Sequence, residues 1–202
     1  MGRRSAGDIT PGRDIVQFFR ASADHLSVIS PRLATNRNAL HGTLTISLHR
    51  VDEIGPDGAG GLTRIIDAGP AIVTMVERAD EIEDNETVDL FLDPLAKSAG
   101  QLYALCLSAA GTAQGHAPTV WLTNEAGRLP GHLDCYVGEC LEPDGYGVEA
   151  ALFYAPLIAD FPTFILCSPI TQCNLNCIHC ISRSTRTNVQ RLPDTIKAQI
   201  QG

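Results

Sequence analysis

Three cysteines near the C-terminal end of the chain have the residue type and spacing to do chemistry. The segment Ile170-Thr171-Gln172-Cys173-Asn174-Leu175-Asn176-Cys177-Ile178-His179-Cys180 places them as C-x3-C-x2-C. Thiolates are soft ligands that suit iron–sulfur clusters and zinc. Gaps of three and two residues let one loop wrap a [4Fe–4S] cube and present three sulfurs to three of its irons. Cys173, Cys177 and Cys180 are therefore expected to be the protein ligands of such a cluster. The fourth iron then has no protein ligand, and an open metal position is what distinguishes a catalytic site from a closed structural one.

Other uses of these thiols are weighed against the cluster. A structural zinc site could recruit Cys167 or His179 as its fourth ligand. Zinc modules usually bring two ligand pairs separated by a dozen or more residues, and no second pair follows here. The third possibility is plain reduced thiols. His179 is expected to pack beside the cluster rather than to ligate it, and Cys167 to be a small buried residue. Cys135 and Cys140, at C-x4-C, are read as ordinary thiols and Cys106 as core.

The elements that must position the loop flank it directly. Thr163-Phe164-Ile165-Leu166-Cys167 is apolar without alternation, as in a strand buried on both faces of a parallel sheet. After the loop, Asp194 can cap a helix in which Ile196 and Ile200 share a face. Strand, cysteine loop and helix in that order read as the first βα unit of an α/β fold.

At this point the sequence resembles the radical S-adenosylmethionine (radical SAM) enzymes. The run Cys173-Asn174-Leu175-x-Cys177-x-His179-Cys180 is similar to their cluster motif, which follows the first strand of a partial (β/α) barrel. The resemblance covers roughly residues 163–200. It implies that the open iron chelates the amino and carboxylate groups of S-adenosyl-L-methionine. Reduction by an electron donor then gives a 5′-deoxyadenosyl radical that abstracts hydrogen from a substrate. The cofactor supplies the difficult step, and the protein positions and shields it. A barrel of this kind needs on the order of 200 residues, whereas this sequence stops 22 residues after Cys180. Without the glycine-rich segment that holds the SAM amino group in that family, the chain is expected to be an incomplete enzyme, inactive by itself.

Residues 1–155 read differently. Thr43-Leu44-Thr45-Ile46-Ser47-Leu48 and Thr87-Val88-Asp89-Leu90-Phe91-Leu92 alternate polar and apolar residues, as does 101–107. Further strands are expected over 14–19, 28–34, 62–67, 119–123 and 148–154. Turn signals separate them at 55–58, Asp84-Asn85, Ala110-Gly111, 124–127 and Pro143-Asp144-Gly145. The expectation is a mainly β fold, an antiparallel β-sandwich, with residues 156–162 and their two prolines as linker. Residues 163–202 would then begin the partial barrel. Gln17-Phe18-Phe19, the run 23–29, Arg32-Leu33-Ala34-Thr35 and 42–48 resemble bacterial accessory modules of the carbohydrate-binding, jelly-roll-like type. That resemblance implies a glycan or a protein as partner, or a packing domain with no ligand.

Single residues there have two readings each. Trp121, the sole tryptophan, is either a sugar-stacking platform or core, with core favoured. Asp52, Glu53 and Asp57, like Asp80, Glu81, Glu83 and Asp84, lack the ordered spacing of a calcium loop and read as solvated turns.

Composition agrees with a two-part, cytoplasmic chain. Of 202 residues 44% are hydrophobic and only 5% aromatic, so the core is aliphatic. The net charge of −8 disfavours nucleic acid, and the small basic group Arg183, Arg186 and Arg191 does not reverse it. No secretion signal, myristoylation pattern or span of about 20 apolar residues is present. Seven cysteines, four of them within residues 167–180, suit metal or redox use in a reducing compartment better than a disulfide framework.

Overall fold

The computed structural model describes residues 2–36, 38–51 and 70–155. The chain divides into two units, Met1–Leu157 and Ile158–Gly202. The second unit lies outside the described residues, and with it the expected strand 163–167, the cysteine loop and the following helix. The expected strand 62–67 and the acidic residues Asp52, Glu53 and Asp57 lie outside them as well.

The described residues are β throughout, apart from one 3-10 turn at Ala79–Glu81. The strands are β1 (Arg3–Ser5), β2 (Ile15–Arg20), β3 (Leu26–Pro31), β4 (Leu33–Ala34), β5 (Thr43–Arg50), β6 (Val73–Arg78) and β7 (Leu90–Leu95). They continue with β8 (Leu102–Ala110), β9 (Thr119–Thr123), β10 (His132–Val137), β11 (Cys140–Leu141), β12 (Gly147–Val148) and β13 (Ala150–Tyr154). One sheet runs β11-β10-β2-β8-β5-β6, a second β13-β3-β7, and a third β1-β9-β12 with β4 also on β9. Every pairing is antiparallel. The two smaller sheets are joined end to end along the chain. β3 and β4 are separated only by Arg32, and β12 and β13 only by Glu149, so together they form the layer opposite the six-stranded sheet.

Alternation decides which residues enter the space between the layers. Leu44, Ile46 and Leu48 of β5 point inward with 0% exposure, opposite Ala109, Leu107 and Leu105 of β8. Ile15 and Phe19 of β2, Val120 and Leu122 of β9, and Leu26, Ile29 and Leu90 from the smaller sheet complete the same cluster. Phe19 stacks on Tyr103 at 5.6 Å between ring centroids. A second, smaller cluster lies on the reverse face of the six-stranded sheet: Val16, Phe18, Val51, Leu102 and Ala104, with Cys106 and Tyr136 against it. β2 is thus buried on both faces. This is why Ile-Val-Gln-Phe-Phe reads as a continuous apolar run around one polar residue.

That polar residue, Gln17, is fully buried and satisfied. Its amide donates to the carbonyls of Phe18, Leu133 and Asp134 at 2.8, 3.3 and 3.2 Å, and its oxygen accepts from Val148 N–H at 2.9 Å. Leu133 and Asp134 sit where the β2–β10 register shifts between His132 and Cys135. Gln17 therefore plugs a β-bulge whose carbonyls the ladder leaves unpaired.

Candidate functional site

The residues expected to bind metal, Cys173, Cys177 and Cys180, lie outside the described residues, as do Cys167 and His179. Among the described residues no group of three or more His, Cys, Asp or Glu side chains could hold a metal ion. The remaining cysteines do not come together as a site. Cys135 is in the main core with 1% exposure, whereas Cys140 stands exposed on the β11 edge, and both are free thiols. Burial pushes the Cys135 thiol up to about 12. Cys106 is half-buried on the reverse face of the six-stranded sheet rather than in the main core, and burial raises it to about 12 as well. Both stay protonated at neutral pH, so neither offers the thiolate that metal or nucleophilic chemistry requires.

Among the described residues, an open groove of about 410 Å³ is lined by residues within 35–41 and 79–82. Its floor is apolar, made by Leu40, Ala79 and Ile82, and its rim is polar, with Asn38, His41 and Asp80. Two glycines make the neighbouring turns possible. Gly42 has φ +81°, and a Cβ there would lie 2.2 Å from the Ala110 carbonyl oxygen; Gly111, with φ +67°, closes the same contact. The turn leaves His41 stacked on His116, with ring centroids 5.4 Å apart and planes 26° from parallel. His41 N–H donates to the His116 carbonyl, and His116 Nδ1 pairs with the Ala39 carbonyl at 2.8 Å. Since a carbonyl can only accept, Nδ1 carries the proton, leaving Nε2 of neutral His116 as an acceptor.

Asp80 is already engaged. Arg78 Nη2 donates to its Oδ2 at 2.6 Å and Nε to its Oδ1 at 3.1 Å, and these hydrogen bonds hold the carboxyl below the usual aspartate range. Of the acidic turn 80–84, Asp84 accepts the Thr35 backbone N–H at 3.0 Å. The Arg78–Asp80 pair is local, two residues apart, whereas the Thr35–Asp84 bond ties this turn to the end of β4.

Trp121 is neither a bare platform nor core. It sits half-exposed on β9, with the Arg3 guanidinium 4.2 Å above its ring and its Nε1–H donating to Asn85 Oδ1 at 2.8 Å. Arg3 and Arg32 converge on Glu149, at 2.5 and 3.2 Å. Arg4, pointing the other way from β1, covers Tyr146 and pairs with Glu142. Two adjacent arginines in a short strand gave no apolar alternation, so β1 was not foreseeable from hydrophobic pattern.

No family model matches the chain, and no curated protein matches it.

Proposed function

We propose that residues 163–202 carry the cluster-binding loop of a radical SAM enzyme, with Cys173, Cys177 and Cys180 as the three protein ligands of a [4Fe–4S] cluster. The observation that carries this reading is the run Cys-Asn-Leu-x-Cys-x-His-Cys over 173–180, which joins the spacing to the residues flanking it. The donor set fits the group: three thiols within eight residues are soft, compact and one short of saturating a cube.

When bound, the cluster would supply the electron for reductive cleavage of S-adenosyl-L-methionine, whose amino and carboxylate groups take the open iron. The chain's own part is to hold three irons and leave the fourth accessible. A reducing, cytoplasmic setting and a low-potential electron donor are the corresponding context. Among the described residues no helix is long and apolar enough to cross a membrane.

Anaerobic reconstitution tests the reading. About four irons and four sulfides per chain are expected, lost when Cys173, Cys177 and Cys180 are each replaced by Ala. Adding SAM to the reduced sample should shift the EPR spectrum, because its ligands bind the open iron. Zinc without sulfide would replace the cluster reading with a structural zinc loop.

A further inference from the structure

Alternation places Leu44, Ile46 and Leu48 of β5 between the layers, and the next position in that series is Arg50. It stands at the end of the strand, opposite Tyr103 of β8, whose ring is packed in the core on Phe19. The end of β7, from the other layer, and the turn after it bring Leu95, Ala96 and Lys97 to the same place. With Ile72, just ahead of β6, these residues line an open groove of about 300 Å³.

The charges in this groove are not compensated. Arg50 Nη2 donates to the neutral Gln101 Oε1 at 2.7 Å, and Lys97 makes no hydrogen bond or ion pair among the described residues. Neither cation has a carboxylate partner there, in a chain with 23 acidic residues against 15 basic ones. By contrast, Arg3, Arg4, Arg32 and Arg78 of the same sandwich are all paired with carboxylates. The Tyr103 hydroxyl likewise has no hydrogen-bond partner among the described residues. Burial pushes this phenol up, so it keeps its proton at neutral pH and can donate. Asp24 is the carboxylate near enough to act on that hydroxyl, and it is engaged by Ala99 N–H at 2.9 Å.

Size, charge and lining together select a ligand. A volume of about 300 Å³ is at the lower end for small-molecule sites, so the ligand is small. The two cations against the one carboxylate nearby leave a single positive charge, which matches a monoanion. A phosphate ester, at about −1.5 to −2 near neutral pH, would meet Asp24 with charge to spare. The planar fork of an arginine suits a carboxylate, and a lysine adds a point charge. Ile72, 39% exposed, and Leu95, packed against the core, add an apolar wall beside the cations.

We infer that the groove between Arg50, Lys97 and Tyr103 binds a small carboxylate with an apolar tail. The carboxylate oxygens would accept from the Arg50 guanidinium, the Lys97 ammonium and the Tyr103 hydroxyl, and the tail would lie along Ile72 and Leu95. The site is built from the first unit alone and does not depend on the cysteine loop.

Titration of the isotopically labelled 202-residue chain with hexanoate, followed by backbone amide NMR shifts, tests the inference. Saturable shifts centred on Arg50, Ile72, Leu95, Lys97 and Tyr103 are expected, with a Kd of about 1 mM or tighter for a ligand of this size. Acetate keeps the charge without the tail and hexanamide the tail without the charge, and each should bind at least about tenfold more weakly. Arg50→Gln and Lys97→Gln should each weaken hexanoate by about tenfold or more, as expected for one lost hydrogen bond to a charged group. The double variant should abolish binding. Tyr103→Phe, which keeps the ring in the core, should weaken it severalfold, while His116→Ala at the other groove should leave the Kd unchanged. Thermal unfolding by circular dichroism shows that each variant is folded. Shifts that stay linear with hexanoate concentration would overturn the inference, and so would saturation that survives the double variant. Inorganic phosphate binding more tightly than hexanoate would overturn it too, by making the groove a phosphate site.

Discussion

At the scale of residues, burial sorts the described thiols into one reactive and two inert. Cys140 is exposed, whereas Cys106 and Cys135 are shielded and held protonated. Brief iodoacetamide treatment of the native protein at neutral pH should label Cys140 and leave Cys106 and Cys135 unmodified until denaturant is added, as peptide mapping would show. The same shift makes stability depend on alkaline pH. Burial holds each thiol at about 12 when folded, against 9.0 for an unshielded thiol, so the native state binds more protons than the unfolded chain between those values. Stability is then fully present below pH 9 and lost as pH rises toward 12. Each thiol adds a slope of up to about 1.4 kcal/mol per pH unit in that window. Urea midpoints measured from pH 8 to 10.5 should fall less steeply for Cys135→Ala than for the unaltered chain.

At the scale of elements, two positions carry local geometry that a neighbouring residue type could not supply. Gln17 satisfies the bulge between β2 and β10 and the N–H of Val148 at once. Gln17→Leu keeps the volume but strands those groups inside the core, at a cost of about 2–4 kcal/mol. A fall in urea midpoint without a change in slope would measure it. Gly42 is fixed by a positive φ and by the close approach of the Ala110 carbonyl. Gly42→Ala should destabilise by more than about 1 kcal/mol, because strain and a backbone clash act together. An unchanged melting temperature for Gly42→Ala would contradict the close approach of the start of β5 to the end of β8. The strands missing from the alternation pattern have comparable explanations. β10 carries a bulge that breaks its period, β11 and β12 are two residues long, and β1 is held by Arg3 and Arg4 rather than by apolar side chains.

For the whole molecule, the core among the described residues runs from Ala6 to Ala150, and the cysteine loop belongs to the second unit, Ile158–Gly202. Replacing Cys173, Cys177 and Cys180 together by Ala should therefore remove iron binding and leave the unfolding transition of the sandwich within about 2 °C of its original position, since about 1 kcal/mol corresponds to 2–4 °C at this size. Calorimetry on both proteins would check this. A transition lost or shifted by more than 10 °C would mean that the sandwich relies on the loop.

The sequence by itself determined the mainly β class, the strands β5 and β8 through period-2 alternation, β2 and β9 through short runs bounded by turn signals, and the turns at Asn85, Gly111 and Gly145 through residues that accept positive φ. It also carries the cysteine spacing on which the proposed chemistry rests. Tertiary structure alone decided the rest. The expected strand 28–34 divides at Arg32, whose carbonyl accepts from Trp121 N–H, and the expected strand 87–92 begins only at Leu90. Cys106 turned to the reverse face because it stands opposite Ser47 and Val16 across β8, a register no single strand contains. Trp121 became half-covered because Arg3, far away in sequence, was brought over it by β1–β9 pairing. The groove of Arg50, Lys97 and Tyr103 exists only once the ends of β5, β7 and β8 are brought together, since register is a property of pairs of strands and not of any one of them.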